Sequence, residues 1–287
     1  MNVREGALVA FTLLMQTSVG VLLIVAALQA LVPRALLHGT TRPFDGPLLV
    51  ATAAGLLALI ASLFHLGHPL QAWLALANLR ASWLSREVVL AASFVACTGF
   101  YTLLERTGTG SPVIRATSCL LAAALGVLAI AAMSRLYMVP AQPAWNRALT
   151  PAGFAAATLL LGIVVVMLIT DSAVKSGVYA SPAGRVLPWL AIALLAVQVL
   201  LVPLHVSAFA SEPAAAISAG AAGGAAVWLA VARALAAIAS IVLLAAWGRL
   251  MPGVSAAPGL ALLVLVAASE ICGRLLFYAA SVRLGPV

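Results

Sequence analysis

Charge is what this sequence has least of. Asp, Glu, Lys and Arg make up 8% of its 287 residues, against about a quarter in an ordinary soluble domain. So few charges cannot clothe a water-exposed globule, and the soluble classes are excluded. Aromatic residues are also few, at 6% beside a hydrophobic total of 64%, so the apolar mass is aliphatic. Lysine is reduced to Lys175 against 14 arginines, and the net charge of +8 is almost wholly arginine's. In apolar company that excess marks loops beside anionic headgroups and not a nucleic-acid surface. The three cysteines, Cys97, Cys119 and Cys272, lie in apolar runs without metal-ligand spacing. No iron–sulfur or zinc centre can be built from them; they read as small buried residues. Missing too is the polar–apolar alternation over about ten residues that a membrane barrel needs. Without water to satisfy the backbone, helices are what remains.

The apolar runs fit that reading. Eight reach roughly the 20 residues a crossing needs: 8–32, 47–66, 86–104, 117–138, 151–170, 186–206, 225–249 and 257–280. Pro and Gly punctuate them, at Pro33, "RPFDGP" (42–47), "ERTGTGSP" (105–112), "VPAQPAW" (139–145) and "SPAG" (181–184). The short loops predict one all-α integral membrane domain over 1–287, with any machinery outside the membrane on another chain. The first run is too long for a signal-peptide core and reads as a span. The stretch 67–85 is the least loop-like. Pro69 suits a first helical turn, and Leu70, Trp73, Leu74 and Ala77 follow at i, i+3, i+4 and i+7. With Trp73, Arg80 and Trp83 at headgroup level, it predicts a short helix in the membrane plane that roofs the end of the second span. An internal echo sets His65 against His205, and "SRLY" (134–137) against "GRLLFY" (273–278). It suggests two four-helix halves, 1–146 and 147–287. With the amino terminus outward, the inner loops carry Arg34, Arg42, Arg106, Arg115, Lys175 and Arg185, and the outer ones Arg4, Arg80, Arg147 and Arg283. That balance predicts both termini on the periplasmic side of a bacterial inner membrane.

Ionisable residues at spans are costly and face the bundle interior or water. They fall into three groups: His65, His68, Arg80, Arg86 and Glu87; Arg135 and Tyr137; and Glu270, Arg274 and Tyr278 at i, i+4 and i+8. Residues four apart share a helix face, so Glu270 and Arg274 can pair. With alternating spans all three groups lie at one leaflet. A hydrophobic two-electron carrier such as a quinol suits such a mouth. Its ring needs an apolar slot, and its two hydroxyls need acceptors and a path for two protons. Histidine titrates near neutrality, which suits His65 as general base, with Glu87 orienting it or relaying the proton. Structural roles stand beside these: an interfacial hydrogen bond for His65, a cap for His68, a snorkelling Arg135, and a register-holding Glu270–Arg274 pair.

"LFHLGHPLQAW" (63–73), "SWLSREV" (82–88), "RLYMVPAQPAWN" (135–146) and "SEICGRLLFYAASVRLG" (269–285) resemble the membrane anchor subunit of bacterial dimethyl sulfoxide reductases. The resemblance extends over essentially the whole sequence. It implies an anchor that oxidises menaquinol and carries no haem or metal of its own. Its partners would be an iron–sulfur electron-transfer subunit and a molybdopterin catalytic subunit, with membrane lipid around it. The family's quinol-site histidine falls on His65 and its glutamate on Glu87. Arg80, Arg86, Arg135, Tyr137, Glu270, Arg274 and Tyr278 complete the expected pocket. His205 and His68 match nothing in that pattern. Two histidines near one leaflet keep a haem-bearing anchor open. A passive anchor and a small-solute transporter stay open beside it.

Overall fold

The computed structural model describes residues 3–33, 36, 42–65, 78–142, 144–170, 177–179, 181–210, 213–250 and 257–279. At 3–4, 65, 203–210, 213–225 and 248–250 it describes the backbone alone. Among these residues are eight long helices: α1 (Val3–Leu31), α2 (Asp45–His65), α3 (Trp83–Thr107), α4 (Pro112–Tyr137), α5 (Leu149–Ile169), α6 (Pro182–Ala210), α7 (Pro213–Leu250) and α8 (Ala257–Ala279). Each is long and apolar enough to cross a membrane, so the eight expected spans are present in an all-helical chain.

Some boundaries differ from expectation. The "ERTGTGSP" separator shrinks to Gly108–Ser111, because its charged start stays helical. Arg106 Nε lies 3.5 Å from Asp45 Oδ1 at the start of α2. Arg115 Nη1 lies 3.9 Å from Glu105 Oε1, and Thr107 Oγ1 donates to the Leu103 carbonyl. Gly108 then ends α3 at φ 68°, its N–H reaching the Leu104 carbonyl; glycine takes this left-handed angle without steric cost. Ser111 caps α4 by accepting from Ile114 N, with Pro112 in the first turn. Well ahead of the expected 225, α7 begins at Pro213, since the alanine-rich stretch preceding that point favours helix. Within 67–85, α3 already starts at Trp83, where the Ser82 hydroxyl accepts from Ser85 N. The remainder of the expected roof, 66–77 with His68, lies outside the described residues.

At the centre is α1, packed on α2 and α5. It buries Met15, Val19, Leu22 and Val25 against Phe154, Leu160 and Ile163 of α5, among others. Lipid tails are as apolar as leucine, so helices associate through close packing and hydrogen bonds. Both are present. Gly20 and Gly162 meet so closely that a Cβ on Gly162 would lie 2.7 Å from Gly20 Cα. Ser18 Oγ donates to the Ala51 carbonyl at 2.6 Å. Gln16 Nε2 donates to the Phe154 carbonyl at 3.0 Å, and the Thr52 and Thr102 hydroxyls are 2.9 Å apart. These bonds tie α1, α2, α3 and α5 into one block. The helices α6 and α7 are the least buried of the set.

Candidate functional site

Alternating crossings bring the starts of α1, α3, α5 and α7 to the same side as the ends of α2, α4, α6 and α8. At that side the last turn of α4 meets the last turn of α8. The Tyr137 and Tyr278 hydroxyls are 3.1 Å apart, and Tyr278 also bonds the Thr12 side chain of α1. Around Tyr137 stand four rings: Trp145 at 5.4 Å, edge-on, Phe154 at 5.7 Å, Phe277 at 5.2 Å and Tyr278 at 5.7 Å. Such offset and edge contacts hold rings in one orientation. Trp145, in the loop before α5, stacks on Phe277 at 5.2 Å and donates from Nε1 to its carbonyl at 2.7 Å. Trp145 thus clasps the loop after α4 to the end of α8.

Two charges border this pair. Glu87, in the first turns of α3, is 4% exposed, and its carboxyl lies within electrostatic range of both tyrosine hydroxyls. Arg274 is likewise buried, one helical turn below Tyr278. Its guanidinium lies over the Phe154 ring, with Cζ 3.7 Å from the centroid, a cation–π contact. The expected Glu270–Arg274 ion pair is not formed: the two remain beyond the 4.0 Å limit, although each acts on the other electrostatically. The guanidinium instead lies over the face of Phe154, and Glu270 Oε1 is left buried without a hydrogen bond. Gln16 of α1 likewise has a buried, unpartnered Oε1.

The arginines of the neighbouring turn are otherwise employed. Arg86 donates through Nε to the Leu79 carbonyl at 2.8 Å and through Nη2 to the Arg80 carbonyl at 2.7 Å. Its Cζ lies 4.3 Å from the Trp83 ring. Arg135 approaches the same ring at 5.8 Å and donates to the Met138 carbonyl. These two therefore close the chain turn at 78–82 and the end of α4. Arg80 is exposed. His65 ends α2 at this side; its side chain, and that of His205 in α6, lie outside the described residues. The structure thus unites Tyr137, Tyr278, Arg274 and Glu87, with Glu270 below, and leaves Arg80, Arg86 and Arg135 at the rim. Sequence reasoning missed Thr12, Gln16, Trp145, Phe154 and Phe277. The polar run Gln16–Thr17–Ser18 within the first apolar span was the readable signal.

Comparison with known proteins adds the family. Residues 1–280 match the model of the DMSO reductase anchor subunit (DmsC). The C subunit of anaerobic dimethyl sulfoxide reductase from Escherichia coli is 32% identical over 157 residues, 53% of this chain and 52% of that protein. Its namesake from Haemophilus influenzae is 32% identical over 104 residues, 36% of this chain and 37% of that one. The YnfH subunit of an Escherichia coli anaerobic dimethyl sulfoxide reductase is 32% identical over 114 residues, 40% of each protein. The alignments thus span about half or less of each relative's length. Matched by the family model over nearly its full length, and built of eight membrane-length helices, this chain belongs to the DMSO reductase anchor subunit family.

Proposed function

We propose that the chain is the membrane anchor and quinol-oxidising subunit of a dimethyl sulfoxide reductase-type complex. It would hold an iron–sulfur electron-transfer subunit, and through it a molybdopterin catalytic subunit, at a bacterial inner membrane. Menaquinol is the substrate of this chain. Its oxidation to the quinone releases two protons and two electrons. The electrons go to the iron–sulfur partner; the protons need acceptors inside the chain and a way to the periplasmic water that the loop charges predict at this side.

His65 at the end of α2 is the first proton acceptor in this reading, and Glu87 the second acceptor or the relay. The observation that carries the reading is the burial of Glu87 within electrostatic range of the Tyr137–Tyr278 hydroxyl pair. A positioned carboxylate can accept a proton from the quinol, and the two hydrogen-bonded hydroxyls at the same end of the bundle can bond a quinol oxygen. Arg274 adds a fixed positive charge that favours the oxygen as it gives up its proton.

A passive anchor is the rival, favoured by how tightly Tyr137, Glu270 and Arg274 are packed within the chain. His65→Leu in the assembled complex separates the two. Loss of quinol-driven turnover, with turnover from a soluble artificial reductant retained, supports a quinol site here. Normal quinol-driven turnover makes the chain a passive anchor.

A further inference from the structure

A second cation within a span, partly buried, stands apart from this site. Arg233 lies on α7, eight residues into the apolar run expected from 225, roughly 12 Å along the helix at about 1.5 Å per residue. Helical side chains lean toward the N-terminus, here the nearer membrane surface, so the charge sits closer to the headgroups than its Cα. Three helices hold it. Arg233 Nη2 donates to Gln198 Oε1 of α6 at 2.8 Å. The guanidinium rests on Gly273 of α8, where an added Cβ would lie 2.9 Å from Arg233 Cζ. Ser269 Oγ, also on α8, donates to the Arg233 carbonyl at 3.3 Å.

This junction has donors in excess. A guanidinium carries five N–H groups, and among the described residues the bond to Gln198 is the one side-chain bond Arg233 makes. Gln198 is itself more than nine-tenths buried, and its Nε2 has no acceptor. Among the described residues no carboxylate lies within ion-pair distance of Arg233; Glu270 and Arg274 are the other charged groups on the α8 segment packed here. Arg233 is only partly buried, and Trp228, earlier on the same helix, is 74% exposed, which marks the interface level. A guanidinium at that depth needs an anionic oxygen.

We propose that Arg233, held by Gln198 and seated on Gly273, binds the phosphate diester of an anionic phospholipid lodged between α6, α7 and α8. The planar fork suits two phosphate oxygens, while the buried Gln198 fixes the guanidinium from the protein side through Oε1. The lipid would pin the two least buried helices onto α8. The quinol reading is not needed for this.

The test uses the full chain purified in neutral detergent and titrated with phosphatidylglycerol, with phosphatidylcholine and inorganic phosphate as separate arms, read by native mass spectrometry. Saturable retention of phosphatidylglycerol is expected, about tenfold weaker in Arg233→Gln, as loss of a charge-assisted hydrogen bond implies. Gly273→Ala should weaken it too, because the new methyl displaces the flexible guanidinium and leaves the helix intact. If Arg233→Gln fails to fold, Arg233→Lys, which keeps charge but loses the fork, and Gly273→Ala carry the comparison. Equal retention by wild type and variants, unsaturable uptake, or displacement by inorganic phosphate overturns the proposal.

Discussion

Replacing Glu87 by glutamine separates chemistry from architecture. The amide has the shape of the carboxyl but neither its charge nor its ability to take a proton. Among the described residues no hydrogen bond to the carboxyl is present to be lost, and the residue is 4% exposed. A substitution of the same shape that removes no hydrogen bond seen among the described residues should change stability little. Catalysis should respond differently. Loss of a positioned proton acceptor costs about 10²- to 10⁴-fold, so quinol-driven turnover in the assembled complex should fall by about a hundredfold or more. The assay compares quinol-driven reduction with reduction driven by a soluble dye that feeds electrons past the membrane subunit. Dye-driven turnover should not change. Quinol-driven turnover within about a factor of two of wild type, far short of the loss expected for a general base, would refute the reasoning. A parallel loss of both activities would make Glu87 structural.

Three other outcomes follow from the packing. Gly162→Ala drives a methyl into Gly20 and should destabilise the purified chain by about 1–3 kcal/mol, the usual range for overpacking, seen as a lower thermal midpoint. Gly153→Ala, on the same helix with open space around it, should not. Arg86→Ala frees the Leu79 and Arg80 carbonyls at a cost of about 1 kcal/mol; limited proteolysis should cut faster at 78–82, while quinol-driven turnover falls far less than in Glu87→Gln. Asp45→Asn breaks the bridge to Arg106, whose side chains are 29% and 46% exposed; unfolding midpoints should shift by less than about 1 kcal/mol.

The spans were legible because a crossing helix needs a long apolar run and few charges, and both are local properties of the sequence. The shared leaflet of Glu87, Tyr137 and Tyr278 followed from counting crossings. Their contact did not, since the approach of α4 to α8 depends on the Trp145 clasp and on rings that read as ordinary core. The Glu270–Arg274 pairing failed for a similar reason. Spacing says which residues share a helix face, but not that the guanidinium would lie over Phe154 of another helix. Arg86 illustrates a third limit: an arginine beside a chain turn is drawn to the carbonyls the turn exposes, which no periodicity reveals. Gln16 and Arg233 were given no role from the sequence, because which helices face them is not a local property; each reaches a partner on another helix.

The central claim is that quinol is oxidised at the end of the bundle where α2 and α4 end and α3 begins. Labelling the assembled complex with a photoreactive quinol analogue, followed by peptide mapping, tests it directly. Competitor-sensitive labelling of this subunit is expected in segments 83–87, 134–138 or 270–278. Labelling confined to the opposite end, near Asp45, Arg106 and Gly108, or to the partner subunits alone, would contradict it.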